Sequence, residues 1–139
     1  MVGYDISEKS LSKFESMGGQ IASSVQEVAR DADVLMSMVV NDAQTEDVLF
    51  GNGNAVEVLK AGSIVISGST VPPAFASRMA SQLAERNIDM IDCPVSGGVA
   101  GAEKWRQENQ KYSHKSHRLS AQWDQIHFIW AKNADKAVQ

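Results

Sequence analysis

The chain has 139 residues, a length that suits one domain with a sizeable core. Hydrophobic residues make up 43% and charged residues 22%, which excludes a disordered chain. A formal net charge of -4 argues against nucleic-acid or anionic-membrane partners, and a single cysteine, Cys93, excludes an internal disulfide framework and fits a reducing, cytoplasmic setting.

The predicted elements follow in chain order. Val2-Gly3-Tyr4 is a short apolar stub ending at Asp5. Ser7 is a helix N-cap, with Leu11 and Phe14 on one face and Gly18-Gly19 as the stop. Gln20-Ile21-Ala22 is a candidate strand, and Ser24 to Glu27 matches a capping box that opens another helix. Val34 to Val40 is a nearly unbroken apolar run, too short to span a bilayer but typical of a strand buried on both faces. Asn41-Asp42 opens a helix through Phe50, closed by Gly51-Asn52-Gly53. Ser63 to Ser67 is a second buried strand, and Pro72-Pro73 suits the first turn of a helix reaching about Arg86. Asn87 to Asp92 is one more strand, followed by a loop from Cys93 to Gly98. This alternation predicts an α/β fold: a parallel sheet with helices on both faces.

The chain changes character near residue 102. All three tryptophans and all three histidines lie beyond it. The first stretch has 6 basic and 13 acidic residues, net -7; the second has 7 and 4, net +3. Residues 1–102 therefore read as the α/β domain and 103–139 as a tail of different origin, expected to be irregular or helical. Within it, Ile126 to Trp130 fits either a short strand or an apolar helical turn. The first residues resemble neither a signal nor a transit peptide.

Ligands of open parallel sheets sit at the carboxyl ends of the strands, and several polar groups fall there. Asp5 is placed to accept hydrogen bonds from ribose hydroxyls or, alternatively, to cap the following turn. Ser69 and Thr70 offer hydroxyls to a ligand or an N-cap to the Pro72 helix. Ser96-Gly97-Gly98 lets backbone amides approach an anion closely, or makes a tight turn needing positive φ. His114 and His117 have no further Cys or His cluster, so no metal site is expected. Ser96 lacks the G-x-S-x-G context of a hydrolase nucleophile, and Cys93 has no cationic activator nearby.

The run Asp92-Cys93-Pro94-Val95-Ser96-Gly97-Gly98-Val99-Ala100-Gly101-Ala102 closely resembles the substrate-binding signature of the β-hydroxyacid dehydrogenases, which include 3-hydroxyisobutyrate, 6-phosphogluconate, tartronate semialdehyde and threonate dehydrogenases. The segments 33–50 and 62–73 look like that family's fourth and fifth strands, and Met38 to Thr45 looks most like the threonate-type branch. The resemblance covers residues 2–102 and implies a Rossmann-like NAD(P)-binding domain. By position it assigns Asp5 to the adenosine ribose, with NAD favoured over NADP because the aspartate repels a 2′-phosphate. It places Val39, Val40 and Gln44 along the cofactor, Thr70 near the nicotinamide, and Ser96, Gly97 and Gly98 on a substrate carboxylate. It implies oxidation of a small β-hydroxy acid by hydride transfer, with a lysine as general acid/base.

Two departures shape the expectation. The family opens with a strand and a glycine-rich pyrophosphate loop, whereas this sequence starts at the second strand, so the first β-α unit is expected to be missing and a central sheet edge unpaired. The family's catalytic lysine lies in a later helical domain, and Lys132 lacks the glycine-rich approach that precedes it. The chain thus reads as incomplete: weakly cofactor-binding and inactive alone. The alternative is a non-catalytic protein that pairs with an intact homologue, associating through the exposed sheet edge.

Overall fold

The computed structural model describes residues 1–95 and 126–130. Strand β1 (Val2–Tyr4) leads into helix α1 (Glu8–Ser16), which starts where the Ser7 hydroxyl accepts the Ser10 amide, with Glu8 at the positive end of the helix dipole. The helix stops at Gly18, whose φ of +88° a side chain would resist. There the Gly18 amide donates to the Glu15 carbonyl at 2.8 Å and the Gly19 amide to the Phe14 carbonyl at 3.1 Å, a Schellman closure. Phe14 is the buried residue of α1, and two glycines make room for it. A Cβ at Gly3 would come within 2.8 Å of its ring, and one at Gly19 would overlap the ring as well.

Strand β2 (Gln20–Ile21) precedes helix α2 (Val25–Ala29). The Ser24 hydroxyl accepts the Glu27 amide, as the sequence predicts. The return half differs: the Glu27 carboxylate accepts from the amide and hydroxyl of Ser23, both at 2.6 Å, one residue earlier than a reciprocal capping box requires. The Ser23 hydroxyl bond, then the amide bond, hold the Glu27 carboxyl below the ordinary range.

Strand β3 (Val34–Met38) runs into helix α3 (Asp42–Leu49), capped by Asn41, whose side-chain oxygen accepts the Gln44 amide at 2.9 Å. A 3₁₀ turn (Ala55–Glu57) leads to strand β4 (Ile64–Ser67), helix α4 (Pro73–Ala84) and strand β5 (Asp89–Asp92). Helix α4 closes on Asn87 at φ 56°, with the Ile88 amide on the Leu83 carbonyl. Strand β6 (Ile126–Trp130) is the last described element.

The six strands form one parallel sheet in the order β2-β1-β6-β3-β4-β5. Leu35, Val65 and Ile129 point to one face and join Val25, Val28, Val48, Leu49, Val56 and Leu83 from α2, α3, the 3₁₀ turn and α4 in the main core. Gly3, Met36, Ile66 and Ile91 alternate to the other face, where Phe14 of α1 lies against Gly3. Helices therefore cover both faces, as the sequence predicts.

At one place the tail settles an alternative that the sequence leaves open. Residues 126–130 are neither irregular nor helical; they are a strand, and it stands in the middle of the sheet. Gly3 and Tyr4 pair with Phe128 and Ile129 on one side, and Val34 through Met38 with Ile126 through Trp130 on the other. The edge expected to be bare between β1 and β3 is thus filled. Bare ladder groups on two apolar strands are costly, and this five-residue, mostly apolar strand satisfies both sides at once.

Candidate functional site at the carboxyl edge of the sheet

Because every strand is parallel, the residues that follow each strand share one edge. Asp5 directly follows β1, Val39 and Val40 follow β3, Gly68, Ser69 and Thr70 follow β4, and Cys93 follows β5. Asp5 is 2% exposed. One carboxylate oxygen accepts the Ser7 amide at 2.8 Å, a two-residue turn that orients the side chain. The other is enclosed and accepts no bond among the described groups. The cap and the ligand acceptor, alternatives from the sequence, are thus compatible: each uses its own oxygen.

The β3 and β4 ends are tied together. The Ser69 hydroxyl donates to the Val39 carbonyl at 2.7 Å, and the Thr45 hydroxyl lies 3.3 Å from Ser69 and donates to the Asn41 carbonyl at 2.9 Å. Ser69 does not cap α4; Pro72 occupies that position without a side-chain cap bond. The Gln44 side-chain oxygen accepts the Val40 amide at 3.0 Å, which fixes the loop after β3. Val39 is buried, while Val40 and Thr70 are exposed at the edge. The Gly68 amide donates to the Ser37 carbonyl, and a Cβ there would crowd Met38. Two further hydroxyls, Ser37 and Ser67, are register partners on β3 and β4, fully buried, with no partner among the described groups. The sequence does not single them out, because nothing local distinguishes a buried serine from a solvated one. Ser96, Gly97, Gly98, His114, His117 and Lys132 lie outside the described residues. Among the described residues no Asp, Glu, Cys and His group has metal-binding form, and no helix is long and apolar enough to cross a membrane.

Residues 1–106 match the NAD binding domain of 6-phosphogluconate dehydrogenase. The chain belongs to this family. It is 42% identical over 98 residues to L-threonate dehydrogenase of Cupriavidus necator, covering 70% of this chain and 33% of that protein. It is 34% identical over 103 residues to a probable mitochondrial 3-hydroxyisobutyrate dehydrogenase of Dictyostelium discoideum, covering 74% of this chain and 32% of that one. Among solved structures, 3-hydroxyisobutyrate dehydrogenase from Salmonella typhimurium superimposes with a TM-score of 0.68 at 36% identity, covering 74% of this chain and 36% of its own. The chain thus spans about a third of the length of the relatives it matches.

At this edge the enclosed Asp5 oxygen is an acceptor without a partner among the described groups, the type of group to which a ribose hydroxyl donates. A sizeable cavity lies elsewhere. About 700 Å³ opens at the amino ends of the strands, lined by Val2, Gln20, Ile21, Glu27, Asp31, Asp33 and Lys60. Three carboxylates there repel a dinucleotide's phosphates, and Lys60 is already 3.4 Å from Asp31. The carboxyl edge is the better candidate on chemistry.

Proposed function

We propose that this chain acts as the NAD-binding part of an oxidoreductase for a small β-hydroxy acid and that the 139 residues alone bind cofactor weakly without turnover. The observation that carries the reading is Asp5: buried, oriented by Ser7, with one carboxylate oxygen unused at the carboxyl end of β1. In this reading Asp5 holds the adenosine ribose and disfavours a 2′-phosphate, so NAD is preferred. Val39, Val40 and Gln44 line the adjoining surface, Thr70 stands toward the nicotinamide, and Ser96, Gly97 and Gly98 receive the substrate carboxylate. The nicotinamide, when bound, supplies the hydride acceptor; the chain's own residues bind and orient. The family relation and the relatives' names, threonate and 3-hydroxyisobutyrate dehydrogenases, support the substrate class.

The 139 residues contain no G-x-G-x-x-G run, the loop whose backbone amides cradle a pyrophosphate at a helix N-terminus. A missing general acid/base is typically worth about 10²–10⁴ in rate. The test is titration of NAD and NADP against the purified chain, with assays of L-threonate and 3-hydroxyisobutyrate oxidation. Measurable NAD binding without turnover supports the proposal; turnover comparable to a complete dehydrogenase overturns its second half. The alternative, a non-catalytic protein that pairs with an intact homologue, rests on an exposed sheet edge and on the apolar Ile126–Trp130 segment; with β6 between β1 and β3, the central edge no longer argues for it.

A further inference from the structure

We infer that β6 is the positioning element of the cofactor crevice, with Ile129 setting the two halves of the carboxyl edge at their working separation and height; this rests on the cofactor reading above. The family match ends at residue 106, and β6 spans 126–130, so the element comes from beyond the matched segment.

The two halves do not touch within the sheet. One is β2, β1 and α1, carrying Asp5; the other is β3, β4 and β5, carrying Val39, Val40, Ser69 and Thr70. Each half is tied internally, by β1–β2 pairing on one side and by the Ser69–Val39 bond and the β3–β4 ladder on the other. Within the sheet β6 alone stands between them, so β1 and β3 lie two strand spacings apart, about 10 Å, while α2 packs over β1, β6 and the 3₁₀ turn on one face. Ile129 is in register with Tyr4 and with Ser37. Tyr4 immediately precedes Asp5, and Ser37 stands two residues before Val39, so one residue of β6 fixes how far each binding group projects past the sheet.

The register of β6 is itself fixed by burial. Ile129 is 2% exposed and belongs to the main core. A slip by one residue would move it to the opposite face and put Phe128 or Trp130 in its place. A ligand that contacts both halves needs this alignment, whereas one that contacts only the Asp5 half does not.

The test compares NAD with 5′-AMP, whose single ribose reaches Asp5, by calorimetric titration of the full chain and of Ile129→Ala and Ile129→Val. Circular dichroism checks folding, and hydrogen exchange follows the amides of β1 and β3. Ile129→Ala is expected to lower NAD affinity by about tenfold or more while AMP changes by less than about twofold, because only the two-ended ligand loses its second anchor. Ile129→Val, which removes one methyl group, shows the same selectivity at smaller size and carries the test where the alanine variant does not fold. Equal loss of both ligands, or unchanged NAD binding, overturns the positioning role. Failure of the unaltered chain to bind either nucleotide overturns the cofactor reading instead. In that case hydrogen exchange still decides on β6: amides of β1 and β3 that keep full protection in Ile129→Ala refute it as the joint between halves.

Discussion

Asp5 concentrates the account at the scale of single residues. Asp5→Asn keeps an oxygen for the Ser7 amide, so stability should change by less than about 1 kcal/mol in urea unfolding. The same change removes the charge, so NAD affinity should fall and the preference for NAD over NADP should narrow in parallel titrations. Phe14 makes the complementary structural prediction. Its ring sits in a space kept open by Gly3 and Gly19, so Phe14→Ala should cost about 3–5 kcal/mol and Gly3→Ala about 1–3 kcal/mol in the same assay. Asp5 is legible in the sequence, since an acid just past a strand end is a positional signal. The burial of Ser37, Ser67 and Thr45 is not, because it depends on which helices cover that face and no short spacing encodes it.

Local elements are where the sequence speaks most clearly. Ser7, Ser24 and Asn41 each cap the helix they are predicted to open, and Gly18 closes α1 through left-handed backbone as predicted; Asn87, read from the sequence as the start of a strand, instead closes α4 in the same conformation, and β5 begins at Asp89. These signals are carried by neighbours within five residues, so they survive without tertiary knowledge. Glu27 gives a pH prediction. Its folded pKa is depressed by the Ser23 bonds, so its contribution is present above the unfolded carboxylate range, about 4.3, and is lost as pH falls through the lower folded value. Glu27→Gln should therefore lower Tm at neutral pH, and the gap to the parent protein should close as pH falls below that range. Glu46, held low by the two-pronged Arg78 bond that links α3 to α4, should behave the same way, and Arg78→Lys should weaken it. A gap in Tm that widens in acid would contradict both assignments. Strand β6 marks the limit of local reading. A mostly apolar run of five residues fits a strand or a helical turn equally well, and its register partners, among them Tyr4 and Ser37, lie far back in the chain.

For the whole molecule, topology does what composition could not predict. A charge change near residue 102 suggests foreign tail sequence, yet residues from that tail complete the sheet between its two halves. The sheet's carboxyl edge then gathers Asp5, Val39, Val40, Ser69 and Thr70, while the amino edge gathers Asp31, Asp33 and Glu27 around a cavity. The two edges differ in their chemistry for a dinucleotide, and that difference is the substance of the functional proposal. The most direct measurement is an NAD titration of the isotope-labelled chain followed by backbone amide resonances. Saturable shifts at Asp5 to Ser7, Val39 to Gln44 and Ser69 to Thr70 are the predicted result; shifts confined to Val2, Gln20, Asp33 and Lys60, or none at millimolar NAD, would contradict it.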